Sequence, residues 1–135
     1  MRPYLESFVL RLTALTLGLA LLGLATVSCR VAPTAQSNKI QFDVAKLDAD
    51  GLVGPATGKR SLAYEFCIPN TPEAQAEVKR IDSTARFMPG SPGRIGCTKD
   101  QVLVIGETHQ PNYQQVLNQL AALPYVTRIQ EAVFE

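Results

Sequence analysis

The chain has 135 residues, 13 Lys and Arg against 12 Asp and Glu, three Cys, one His and no Trp. That length suits one ordinary domain. From Arg30 onward the chain holds 11 basic and 11 acidic residues, so no basic stripe exists to release counterions from phosphates, and nucleic-acid binding is set aside.

Arg2 and Arg11 flank an uncharged run over residues 12–28, LTALTLGLALLGLATVS, which ends in small residues. A positive start, an apolar middle and a small-residue end predict a secretory signal over residues 1–28, despite the acid Glu6. The segment Ala25-Thr26-Val27-Ser28-Cys29 resembles a bacterial lipobox, with Thr26 where Leu is usual. Cys29 is therefore expected to carry lipid and to anchor an exported protein on a membrane, facing the periplasm. The alternatives are a plain signal and a retained anchor, the run being at the short limit for a spanning helix. Lipidation also resolves the odd cysteine count, since it leaves Cys67 and Cys97 as a pair in an oxidising compartment.

Residues 29–60 read as a lipid-attached tether with room for a short edge strand. Residues 30–39 are small and polar without periodicity, and Ile40-Gln41-Phe42-Asp43-Val44 alternates as a short strand does. Asp48 and Asp50 lack the further oxygen ligands and the closing Glu of a calcium loop, so they read as a solvated turn.

The orderly part is expected over residues 61–135. Leu62, Tyr64, Phe66 and Ile68 alternate with Ala63, Glu65 and Cys67, a strand with one apolar face. Thr71 as N-cap, Pro72 at the first helical position and Glu73 in the first turn predict a helix with Ala74, Val78, Ile81 and Ala85 on one side. A short strand over residues 85–88 and a Gly/Pro-rich loop over residues 89–100 follow. Residues 101–106 form an apolar strand buried on both sides. Thr108-His109-Gln110-Pro111 opens a second helix carrying Tyr113, Val116, Leu117 and Leu120 at helical spacing, and residues 126–134 form a last strand. The order β-α-β-β-α-β is that of a ferredoxin-like α+β fold, two helices on one face of a four-stranded antiparallel sheet in the order 4-1-3-2.

In that topology the strand carrying Cys67 ends beside the start of the strand that follows Cys97, so the two are expected to form a disulfide closing a loop of about 30 residues. A two-Cys metal site lacks CxxC spacing and a nearby His, and no metal or cofactor is expected. His109 falls at the opposite edge of the sheet from both cysteines, which removes a Cys–His nucleophile pair. Glu65 and Glu107 show no sign of a shared pocket. The most unusual run is Gly90-Ser91-Pro92-Gly93-Arg94-Ile95-Gly96-Cys97. Gly90, Gly93 and Gly96 would let backbone amides approach a ligand, with Ser91 alongside and Arg94 offering a fork for a carboxylate or phosphate; the competing reading is a structural turn pinned by Cys97.

The segments YEFCIP, GSPGRIGC and GETHQPNYQQVL resemble a family of small uncharacterised cyanobacterial exported proteins, over residues 61–135. The resemblance implies a cyanobacterial source, with the thylakoid lumen as a second destination, and brings no activity, cofactor or catalytic residue. Without a catalytic constellation, the expected function is non-enzymatic: a membrane-tethered interaction or assembly module presenting Ala63, Glu65 and Cys67 or the Arg94 loop to a membrane-protein partner. The alternative is a small-ligand or thiol-redox protein using Cys67 and Cys97 or the loop over residues 90–96.

Overall fold

The computed structural model describes residues 37–134, so the signal-type run, Cys29 and the start of the tether lie outside the described residues. Strands β1 (Leu52–Val53) and β2 (Arg60–Ser61) form a short antiparallel hairpin. They are followed by β3 (Ala63–Pro69), α1 (Pro72–Ile81), β4 (Arg86–Met88), β5 (Gln101–Glu107), α2 (Tyr113–Ala122) and β6 (Gln130–Glu131). The last four strands make one antiparallel sheet in the order β4-β5-β3-β6. The architecture is α+β, two helices with an antiparallel sheet.

β3 and β5 pair over their whole length, Ala63 opposite Glu107 through Pro69 opposite Gln101. The pleat sends alternate residues to opposite faces. Tyr64, Phe66, Ile68, Val102 and Val104 point to one face and are fully buried with the inner sides of both helices. Each such side chain contributes about 1.5–3 kcal/mol by leaving water, so this face supplies most of the driving force. Leu103 and Ile105, on the other face, are also buried, which is why β5 is apolar from Val102 to Ile105.

α1 begins where its sequence says. Thr71 Oγ1 accepts a hydrogen bond from the Ala74 amide (3.2 Å), Pro72 opens the helix, and Lys79 and Arg80 lie in its last turn. α2 starts later than the Thr108-to-Pro111 opening suggests. Its cap is Asn112, in the left-handed region at φ 55° and without a side-chain cap bond. Thr108 is used elsewhere: its hydroxyl accepts from the Leu62 amide (2.9 Å) and donates to the Gly51 carbonyl (2.6 Å).

Part of residues 40–60 packs into the domain. Ile40, Phe42 and Leu47 are buried in the core, with the Phe42 ring stacked near Tyr64 at 6.4 Å. The strand expected over residues 40–44 reduces to a single bridge between Ile40 and Ile129, because Asp43 accepts from the Ala45 amide (3.0 Å) and turns Val44–Lys46 into a 3₁₀ turn. The Asp48 carboxylate accepts from the Asp50 and Leu52 amides and pairs with Lys59 at 2.7 Å, which holds it below its ordinary pKa; the turn it organises is clipped to the start of α2 by Tyr113. The final strand is likewise shorter than residues 126–134. Ile129 exchanges backbone bonds with Lys39 and Gln41 instead of β3, and only Gln130–Glu131 joins the sheet.

A buried polar network locks the end of α1 to the β5–α2 connection. Tyr64 donates to Asp82 Oδ2 at 2.6 Å; Asp82 Oδ1 accepts from the Thr84 amide, the Thr84 hydroxyl and Gln110 Nε2. Burial first and the adjacent Asp82 second push the Tyr64 phenol far above its ordinary pKa. Gly106 makes the network fit, because a Cβ there would come within 2.4 Å of the Tyr64 ring and 2.5 Å of Asp82.

Gly106→Ala is expected to cost on the order of 2–3 kcal/mol by overpacking, read as a fall in the urea midpoint with unchanged slope; an unchanged midpoint would show that the Tyr64 ring has room to move. A second expectation concerns Tyr125, whose hydroxyl donates to Glu77 Oε2 at 2.6 Å. Burial, then Glu77, pushes its pKa up from 10.0 to about 12. A raised folded value means its stabilising contribution is complete below pH 10 and lost as pH rises through 12. Ultraviolet titration should find a tyrosine ionising near pH 12, ahead of the still later Tyr64, that moves back toward 10 in Glu77→Gln.

Candidate functional site

The second face of the sheet carries Glu65 opposite Ile105 and Cys67 opposite Leu103 on the central strands. Arg86 and Met88 of β4 pair with Ile105 and Leu103, and Gln130 of β6 with Glu65, so they share this face. It is not presented bare. Residues 89–100 fold back over it, and Cys67 and Cys97 stand at disulfide distance, S–S 2.05 Å and Cα–Cα 5.5 Å, fastening the loop to β3. Arg128 Nη2 donates to the Ile95 carbonyl and fixes the loop from the other side, with Ile95 buried.

The loop's glycines shape its path. Gly90, Gly93 and Gly96 all take positive φ. Gly93, at φ +59°, is pressed to the sheet: a Cβ would come within 2.7 Å of Leu103 and 2.9 Å of Glu65 Oε2. The loop amides are largely consumed within the protein. Ser91 donates to Met88, Gly96 and Cys97 to Pro92, and Thr98 to the Gln101 side chain. With the Gly93 amide donating to Ser91 Oγ at 3.4 Å, the amides at residues 91, 93, 96, 97 and 98 have partners within the protein.

Between loop and C-terminal segment lies a cleft of about 380 Å³. Its floor is Glu65, Leu103 and Ile105; Ser91, Pro92, Gly93 and Arg94 line one side, and Met88, Val133 and Phe134 complete it. Glu65 is 4% exposed, whereas Met88, Val133 and Phe134 are 46%, 54% and 68% exposed, the large exposed apolar side chains of the described residues. Glu65 Oε1 accepts from Gln130 Nε2 at 2.8 Å. The site thus joins a buried carboxylate to a half-exposed apolar rim. A recess of about 300 Å³ on the loop takes Gly90, Ser91, Cys97, Thr98 and Lys99.

The remaining sequence candidates are dispersed. His109 Nδ1 meets the Asp50 carbonyl at 2.9 Å, which can only accept, so that nitrogen carries the proton. Glu107 accepts from the Ser61 hydroxyl and pairs with Arg86 at 3.3 Å, at the far end of β5 from the cysteines. Among the described residues no group of His, Cys, Asp or Glu has the arrangement of a metal site, and no helix is long and apolar enough to cross a membrane. Sequence reading missed Met88, Leu103, Ile105, Val133 and Phe134. The signal available was period-two register, which places residues 103 and 105 on the face of Glu65 once β3 and β5 are paired.

Closing a 30-residue loop restricts the unfolded chain by about 3–4 kcal/mol. Cys67→Ser with Cys97→Ser should lose that much in urea unfolding and speed amide exchange at Leu103 and Ile105, beneath the loop; unchanged exchange there would deny the disulfide its role as a fastening. Comparison of the chain with protein-family models, with curated proteins and with solved structures finds no match.

Proposed function

We propose that the chain is a membrane-tethered envelope lipoprotein, lipidated at Cys29 and facing the periplasm or a thylakoid lumen, whose folded domain is a non-enzymatic protein-interaction module. The observation that carries the reading is the cluster of Met88, Val133 and Phe134 around one cleft. Large apolar side chains gathered at one place, with a polar floor, mark association surfaces, whereas singly scattered ones carry no meaning. The fold assignment that accompanies it is ferredoxin-like. The order β4-β5-β3-β6 supports it, since each helix joins two parallel strands separated by one antiparallel neighbour. Cys97, 8% exposed, favours a structural disulfide over a cycling thiol, because a redox cysteine must be reachable.

The test places a photo-crosslinking residue at position 88 or 134 of the full-length protein in its membrane, with exposed Ala76 on α1 as the control position. One discrete adduct from positions 88 and 134 and none from 76, with a diacyl or triacyl mass on Cys29, is the expected result. Equal labelling from all three positions, or an unprocessed Met1, would overturn the reading.

A further inference from the structure

We infer that the cleft takes a basic side chain, a lysine or arginine of the partner protein, with its charged head on Glu65 and its hydrocarbon stem along Leu103, Ile105 and the apolar rim. This rests on the interaction reading and adds the chemistry of the partner.

Glu65 sets the chemistry of the cleft. Its side chain lies almost wholly out of water, yet its one hydrogen bond among the described residues comes from a neutral amide, Gln130, to Oε1. Among the described residues the ion pairs join Lys59 to Asp48, Arg80 to Glu77 and Arg86 to Glu107, and Glu65 is in none of them. No buried side-chain oxygen among the described residues lacks a hydrogen-bond partner, so Oε2, which accepts none from them, is the oxygen open at the cleft, where a charged donor can reach it. The open direction is the cleft, because Glu65 lines it and Oε2 lies beside Gly93, where a side chain on the loop would come within 2.9 Å. Arg94, also on the cleft wall, has an interaction of its own.

The walls choose among cations. Leu103, Ile105, Met88 and Phe134 offer hydrocarbon and no donors from their side chains. A strongly hydrated metal ion would find a single carboxylate there, beside the Ser91 hydroxyl and the Arg94 cation, a poor exchange for its water. A lysine or arginine has the complementary form, an apolar stem that lies on such surface and a head that donates. The volume of about 380 Å³ holds a side chain of that size with part of its backbone.

The probes are n-butylguanidinium and n-butylammonium, which reproduce the two side chains, with n-butanol as the neutral control, added to full-length protein in micelles and followed by amide chemical shifts. Both cations should shift Glu65, Leu103 and Ile105 while butanol leaves them in place. Glu65→Gln, which keeps shape and the Gln130 contact, should weaken the cations at least about tenfold, and Phe134→Ala, at an exposed position safe for folding, by a smaller factor. Butanol binding as tightly as the cations, or an unchanged affinity in Glu65→Gln, overturns the inference. If the cations fail while the crosslink at position 88 persists, the basic-partner chemistry falls and the interaction surface stands; if the cations bind and the crosslink is absent, the cation site stands and the protein-interaction reading falls.

Discussion

One strand pairing governs both sides of this molecule. With β3 set against β5 so that Phe66 faces Val104, Tyr64 falls opposite Gly106, the residue whose missing Cβ leaves room for the Tyr64–Asp82 contact. The same register puts Cys67 opposite Leu103, within reach of the loop that carries Cys97, and Glu65 opposite Ile105. A slip of one residue would turn each of these to the wrong face. Network, disulfide and cleft are therefore consequences of a single alignment, and the full burial of Tyr64, Phe66 and Ile68 on one face is what enforces it.

The two faces are held by different means. On the helical side the packing is continuous, and the polar groups it swallows are provided for locally: Gln110 Nε2 alone reaches Asp82 and the Glu107 carbonyl. On the second side no helix of the described residues covers the sheet, and the cover there is a Gly- and Pro-rich loop. Such a segment gains little from its own secondary structure and starts with high chain entropy. It is held by few, specific fastenings: the covalent link from Cys97, the Arg128 bond to Ile95, and tight turns closed on Pro92. A cover of this kind can follow an irregular surface, which is how a cleft remains at its margin.

What the sequence made legible was local. The alternation from Leu62 to Ile68 and the Thr71-Pro72 start of α1 are short-range signals, and short-range forces decide them. The cysteine pairing was legible for another reason, that topology is a small menu and leaves these two positions neighbours. The start of α2 was misplaced because the run Thr108 to Pro111 looks like a helix opening, while the side chains of Thr108 and Gln110 are taken by Gly51 and Asp82, partners 57 and 28 residues away. Residues 40–60 look like a linker by composition, yet three apolar side chains there complete the core, and no local pattern announces a docking contact. The cleft was hidden for the same reason: Met88, Ile105 and Phe134 meet only after the sheet has formed and the chain end has crossed it.

Two buried acids make the sharpest comparison in the molecule. Asp82 is fully buried and receives four donors, from Tyr64, twice from Thr84 and from Gln110. Glu65 is nearly as buried and receives one from the described residues. A carboxylate that serves only the fold gains from being satisfied by the fold, and Asp82 is. The fold engages one oxygen of Glu65, through Gln130, and leaves the other open at the cleft, so packing alone gives no reason for that second oxygen. Its position at the floor of the one place where exposed apolar side chains gather among the described residues supplies a reason of a different kind. The donors that Asp82 finds inside the domain, Glu65 is placed to find outside it.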